Sequence, residues 1–313
     1  MTTFDVPTTA MANDPYVTEV APNAYAYIQP DGTWWINNTG FIVGRDGVTL
    51  IDTCSTERRT REMLATVRSV TDAPLRHVVN THHHGDHTHG NYLTAPAAII
   101  GHRACRDVML ATGIDHYATA FEQPDWGHLE FAAPSITFES RLDLWAGDLC
   151  IELHSIGGPA HTTNDVVAWL PEEKVLYTGD LVFNGGTPFV LMGSVSGSLT
   201  SIDRLRGFGA DVIVPGHGPV CGPEVLDVIE RYLRFVQELA REAHRSATPP
   251  FDAARAADLG EFATLTDSER LVGNLHRAMA ELDGLPDGGP IHLGRAIADM
   301  VRFNDGRLLH CCA

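Results

Sequence analysis

Residues 81–91 read THHHGDHTHGN, and one register within them gives His82-x-His84-x-Asp86-His87. His82 and His84 are two apart at the end of an apolar extended run, LRHVVNT, so their rings point to one side and can grip one metal. Gly85 permits a sharp turn, after which Asp86 and His87 face a second position beside the first. Zinc accepts imidazole nitrogen and carboxylate oxygen alike, so a mixed cluster of this kind is chemically sensible. The bland alternative is a His-rich solvated loop whose spacing is incidental.

Later segments repeat one pattern that would supply the missing ligands. LCIELHS leads through Gly157-Gly158-Pro159 to His161, KVLYTG leads to Asp180, and DVIVPG leads to His217. Each is an apolar run, then a small-residue turn, then one ligand-type side chain. Strands that end in ligands gather them along one edge of a layered sheet structure, where loops carry function. His82, His84 and His161 then complete one site, Asp86, His87 and His217 form another, and Asp180 can bridge them. His154, near the same strand end, rivals His161. Two such metals share a water, lower its pKa towards neutrality and polarise a carbonyl oxygen. Asp86 and Asp180 are accordingly the candidate catalytic carboxylates.

The rest of the chain fits an α/β body. Short β-rich runs (AYAYI, FIVG, VTLID) fill Val17 to Asp52, and Ser55 to Val70 predicts a helix with an N-cap-like Ser55. Strand-like runs follow to about residue 222, with helical stretches at 102–112 and 199–208. Residues 224–245 then form a long amphipathic helix, and 265–283 and 291–303 read as helical. The expected organisation is a loose tail over 1–16, a body over 17–222 and a helical C-terminal extension over 223–313. Lys+Arg is 22 against 40 Asp+Glu, a net charge of −18, and an acidic surface repels phosphate backbones and anionic lipid. Nucleic-acid and membrane partners are therefore disfavoured. The N-terminal stretch carries no signal-peptide pattern, which predicts a cytoplasmic protein, and its six scattered cysteines read as incidental thiols.

The series H-x-H-x-D-H, AHTTND, TGD and PGHG resembles the metallo-β-lactamase superfamily in its dinuclear, glyoxalase II-like pattern. That resemblance implies an αββα sandwich with two zinc ions, or other divalent metals, at one edge. It favours His161 over His154, and it makes Asp52, at the end of VTLID, a structural support of the ligand loop. The superfamily's nucleases would need a cationic surface, and its glyoxalase II branch binds glutathione through clustered basic residues. Residues 246–313 here hold six arginines and no lysine. The stretches YIQPDGTWWINNTGFIV, TGDLVFNGGTPFVLMGSVSGS and SERLVGNLHRA are similar to the aromatic polyketide cyclase/thioesterases of the actinorhodin second-ring type.

That likeness implies antibiotic biosynthesis, with ring closure by aldol chemistry, thioester hydrolysis, or both. The substrate would be a polyketide or acyl thioester, and an acyl carrier protein its partner. Arg231, Arg234, Arg241 and Arg245 line one face of the long helix and would suit such a carrier, although a solvated face is the plainer reading. Trp34, Phe183, Phe189 and Met192 are candidate pocket residues for a flat aromatic ligand. The Gly-rich stretch 185–198 reads as a mobile substrate loop, and one of Trp34 and Trp35 is expected to face outwards, as adjacent strand residues do. His83 and His89 are candidate outer partners of the ligand rings. The competing readings are a glyoxalase II-like thioesterase or lactonase and a degenerate binding subunit without chemistry.

Overall fold

The computed structural model describes residues 14–313. The expected tail over 1–16 therefore lies outside the described residues up to residue 13. The chain opens on an antiparallel meander, β1 (Tyr16–Ala21), β2 (Ala24–Ile28), β3 (Thr39–Gly44) and β4 (Gly47–Ile51). Helix α1 (Glu57–Val70) then crosses over to β5 (Leu75–Asn80). The single-turn helix α2 (Gly85–Thr88), β6 (Ala98–His102), α3 (Arg103–Thr112) and β7 (Ile136–Phe138) follow. Strands β4 to β7 pair in parallel, and the seven strands form one sheet in sequence order.

A second, five-stranded sheet is built from β8 (Arg141–Ala146), β9 (Leu149–Ser155), β10 (Val166–Leu170), β11 (Val175–Phe183) and β12 (Val212–His217), in the order β12-β11-β10-β9-β8. Helix α4 (Val195–Gly207) connects β11 to β12 in parallel. The C-terminal part is helical: α5 (Val225–Arg245), α6 (Pro250–Ala256), α7 (Arg270–Leu282) and α8 (Leu293–Phe303).

Three apolar clusters define the layers. Between the sheets, Ile42, Ile51 and Val79 meet Ile151, Leu170 and Val214. On the outer face of the first sheet, Met63, Leu64 and Val67 of α1 pack on Phe41, Leu50 and Val78. On the outer face of the second sheet, α4, α5, α7 and α8 form one continuous core with Val167, Leu176 and Ile213. The result is helix, sheet, sheet, helix. The C-terminal helices are thus part of the outer layer rather than an appendage hung beside it.

The local chemistry explains two departures from expectation. Helix α1 is capped by Thr56, whose side chain accepts from Arg59 N, while the Ser55 hydroxyl is buried without a partner. A cap of that kind contributes about 1 kcal/mol. The stretch 185–198 is packed, not a free cover. Arg277 donates to Leu191 O, Asn274 donates to Pro188 O, and Ser194 caps α4 by accepting from Gly197 N. Phe189, Val190 and Leu191 are buried. Glycine content suggested mobility, but Gly193 and Gly197 serve close approach: a Cβ would fall 1.9 Å from Ala160 O at the first and 1.8 Å from Pro159 O at the second.

Candidate metal centre

The sandwich brings all seven candidate ligands to one edge. His82 follows the end of β5, Asp86 and His87 ride on α2, and His161 lies in the β9–β10 loop. Asp180 lies within β11, and His217 ends β12. The ligand atoms form two groups, His82, His84, His161 and Asp180 in one and Asp86, His87, Asp180 and His217 in the other. Within each group these atoms all lie within 4.8 Å of one another. His154 is elsewhere on its sheet, bonded to Glu152 at 2.8 Å.

In the first group three nitrogens converge: His84 Nδ1 lies 3.1 Å from His82 Nε2 and 2.9 Å from His161 Nε2. Asp180 Oδ2 is 3.4 Å from His161 Nε2 and 3.9 Å from His82 Nε2. Burial first, and the neighbouring imidazoles second, hold His82 and His84 well below the ordinary histidine pKa. These two rings are neutral at physiological pH, which is the form that binds a metal.

In the second group, His217 Nε2 is 3.3 Å from Asp86 Oδ2 and from Asp180 Oδ2, and His87 Nε2 is 3.0 Å from Asp180 Oδ1. Burial opposes charge on both rings, but the surrounding carboxylates outweigh it. His217 is raised to about 9, and His87 goes well above the ordinary value under Asp180, Asp86 and Asp52. Burial also works against ionised Asp86 and Asp180, yet the histidines hold both carboxyls below the usual range.

Four of the five ligand rings are oriented from behind, as metal-binding imidazoles require, while the outer Nε2 of His84 is buried without a partner. His82 Nδ1 bonds Thr81 Oγ1 at 3.0 Å and His87 Nδ1 bonds Asp52 Oδ2 at 2.8 Å. His161 Nδ1 donates to Phe189 O at 2.6 Å and His217 Nδ1 to Gly32 O at 3.0 Å. Asp52 also accepts from Thr81 N and Thr81 Oγ1, both at 2.7 Å, so one carboxylate braces both groups. His83 and His89 do not take these places. His83 pairs with Asn164, and His89 faces Trp35 and His116. The two carbonyls were missed because backbone acceptors carry no side-chain signature, and Thr81 because a lone hydroxyl is not a metal-ligand type. Gly216 permits the assembly, since a Cβ there would fall 2.0 Å from Asp180 Oδ1.

This arrangement fits divalent metal ions on its own chemistry. His87 Nε2 and Asp180 Oδ1 lie 3.0 Å apart without hydrogen-bond geometry, so both are buried and unpartnered. A nitrogen-rich and a carboxylate-rich group sharing one aspartate is a donor set for two such ions.

Beside the ligands opens a cavity. Trp34, Phe183, Phe189 and Met192 all line it, and His84, Asp86, His161, Asp180 and His217 face the same space. Trp34 meets Phe121 and Phe189 edge-on, each at 5.0 Å between centroids. Trp34 and Trp35 do not alternate in and out. They lie in a turn, Trp35 adopts φ +67°, and both line the cavity.

Fold and ligand cluster together define a two-sheet sandwich with a paired His/Asp centre at its edge. Residues 32–217 match the family described as Metallo-beta-lactamase superfamily, and the chain belongs to that superfamily, whose members are mostly metal-dependent hydrolases. It is 26% identical over 228 residues to a linear primary-alkylsulfatase of Pseudomonas sp., covering 60% of this chain and 43% of that protein. A hydroxyacylglutathione hydrolase of Rhodospirillum rubrum is 27% identical, covering 58% of this chain and 61% of that protein. The chain thus spans about half the length of these relatives. Atrochrysone carboxyl ACP thioesterase AgnL7 of Paecilomyces divaricatus is 28% identical over 272 residues, covering 84% of this chain and 74% of that protein. A solved metallo-beta-lactamase from Pontibacter korlensis shares the fold, with a TM-score of 0.60 at 21% identity over 71% of this chain and 99% of that one. No helix among the described residues is long and apolar enough to cross a membrane.

Proposed function

We propose that the chain is a dinuclear zinc enzyme that takes an aromatic polyketide acyl thioester and releases it by hydrolysis, closes a ring in it, or does both. The observation that carries this reading is the aromatic-walled cavity opening directly onto the ligand cluster. The likeness to a carboxyl ACP thioesterase supports it, because that alignment covers 84% of the chain and so reaches into the C-terminal helices.

His82, His84, His161 and Asp180 would hold one ion, and Asp86, His87, Asp180 and His217 the other. When bound, the pair supplies Lewis acidity at the acyl carbonyl and an acidified water. The protein's own groups do the rest. Trp34, Phe183 and Phe189 clasp a flat acyl group and exclude water from it. Asp86 and Asp180 remain ionised at neutral pH. With the ions bound, Asp180 would be a ligand common to both, its buried Oδ1 included.

An acyl carrier protein is the partner that such a substrate implies. The arginines of α5 are already engaged: Arg231 pairs with Glu261, Arg234 with Glu230, and Arg241 and Arg245 with Glu238. A carrier docking there would exchange those exposed pairs for its own acidic groups, at small cost per pair.

The deciding experiment compares zinc-loaded protein on S-naphthoyl-N-acetylcysteamine and on S-lactoylglutathione. The aromatic thioester should be turned over faster, a chelator should abolish turnover, and zinc should restore it. Preference for the glutathione thioester would move the function to the glyoxalase II type, and full activity without metal would overturn the reading.

A further inference from the structure

Helix α8 packs on the outer face of the second sheet and α1 on that of the first. The chain after α8 runs from one of these layers to the other, and Leu309 lines the metal-side cavity on the way. Arg59 of α1 receives it: the guanidinium, only 9% exposed, donates to Cys312 O at 2.7 Å and to Gln29 Oε1 at 2.8 Å. Leu309 and Cys311 are buried, so the crossing is packed rather than loose.

The crossing segment holds part of the stretch between α3 and β7. Leu309 N donates to Ala120 O at 2.8 Å and Glu122 N donates to Leu309 O at 2.9 Å, a parallel bridge opposite Phe121. His310 Nδ1 pairs with Glu122 Oε2 at 2.8 Å. Between residues 114 and 125, among the described residues, every hydrogen bond to a residue distant in sequence goes to Leu309 or His310. A stretch with so few bonds of its own would open locally, and the bridge to Leu309 opposes that. Phe121 carries the effect into the cavity, meeting Trp34 at 5.0 Å and Trp35 at 5.7 Å between centroids.

We propose that Leu309 is a specificity-determining residue, the fixed stop that limits how large an acyl group the cavity accepts. Met192 and Met300 also line the cavity, but unbranched thioethers yield to a ligand. Leu309 is branched, 1% exposed and tied through its backbone on both sides, so it has no slack to give. Overlap with a packed side chain is costly, and a ring system that grows into Leu309 is therefore refused. The proposal deepens the thioester reading with a size limit, and rests on it only for the placement of the acyl group at the ligand cluster. Trp34, Phe183 and Phe189 select for flatness, and Leu309 for extent.

Binding to the full, zinc-loaded chain tests this without turnover. Calorimetry compares 2-naphthoate with 2-anthroate, which adds one ring. The wild type should gain nothing from the third ring, although that ring brings more apolar surface. Leu309→Ala should raise anthroate affinity relative to naphthoate roughly tenfold, the lower end of what one methylene decides in an apolar pocket. Leu309→Val should shift the ratio the same way by roughly threefold, and decides if Leu309→Ala does not fold. Leu308→Ala, at an exposed neighbour in the same segment, should leave the ratio as it is. Clearly tighter binding of anthroate by the wild type, or an unchanged ratio in the Leu309 variants, would overturn the proposal. So would an equal shift in Leu308→Ala, since the effect would then come from loosening the segment. Failure of the thioester reading would look different: no turnover of S-naphthoyl-N-acetylcysteamine by a chain whose binding ratio still shifts.

Discussion

The two halves of the ligand cluster share Asp180 and a single bracing carboxylate, Asp52, yet they stand on opposite electrostatics. His82, His84 and His161 meet one carboxylate, and burial keeps the His82 and His84 rings neutral. His87 and His217 meet Asp86 and Asp180, with Asp52 behind His87, and both are driven towards the protonated form. In the first half, His82 and His84 are open to a metal without proton release. The second half competes with its own protons, and its carboxylates serve either the proton or the ion. Neighbouring sites that differ in this way should fill and empty separately.

Removing the ligand common to both halves should have the largest effect. Asp180→Asn leaves three nitrogens in the first half, but only one carboxylate and two histidines in the second. Activity should fall by more than roughly a hundredfold, since loss of an outer partner alone costs up to that much. Metal analysis should show the second ion weakened more than the first. Two tightly held ions and full activity would break the comparison.

pH separates the halves without mutation. His217 of the metal-free protein is raised from 6.5 to about 9, so its ion pairs contribute stability complete below pH 6.5 and lost as pH rises through about 9. A metal entering the second half below that pH must displace the proton. Its affinity there should rise about tenfold per pH unit for each proton displaced, then level off. In the first half His82 and His84, already neutral, have no proton to release, so the first ion's affinity should rise less steeply over the same range. Zinc titrations at pH 6.5, 7.5 and 8.5 would show this, and equal slopes for both ions would contradict it.

Asp52→Asn should act next in size. Asparagine tolerates the left-handed φ of +64° at this position, so the backbone is spared. The charge behind His87 is lost, however, and second-half affinity should fall roughly 10–100-fold. A larger loss in the first half would show that Asp52 works mainly through Thr81.

Much of this centre was legible in the sequence because each ligand follows an apolar run and a small-residue turn, a pattern fixed by where strands end. The αββα layering was legible only through the family resemblance that those motifs carry. Less visible were contacts made across layers. His161 Nδ1 is held by Phe189 O and His217 Nδ1 by Gly32 O, acceptors that any residue type would offer. Arg270 lies in a helix 53 residues beyond His217, and the packing of α7 against α4, α5 and the 187–191 stretch brings it to the cavity. The pairing of Trp34 with Trp35 was misread because strand alternation was applied to a turn. Glycine at Gly193 looked like flexibility and is close packing.

The smallest change tests whether the first half relies on its outer partners as the second does. Thr81 Oγ1 links Asp52 Oδ2 at 2.7 Å to His82 Nδ1 at 3.0 Å, so it carries the Asp52 brace to the first half. It is packed tightly: a Cβ on Gly179 would fall 2.5 Å from that hydroxyl. Thr81→Val keeps the branched shape and the Thr81 N to Asp52 Oδ1 bond, and removes only the hydroxyl. His82 loses one orienting contact but stays buried and neutral among three converging nitrogens. First-half zinc affinity should therefore fall by only roughly three- to tenfold, at the low end for an outer partner. Second-half affinity should not change, because His87 still bonds Asp52 directly. Competition with a chromogenic chelator would measure both. A loss in the first half as large as Asp52→Asn causes in the second would mean that the two halves depend equally on bracing, and that their difference lies in charge alone.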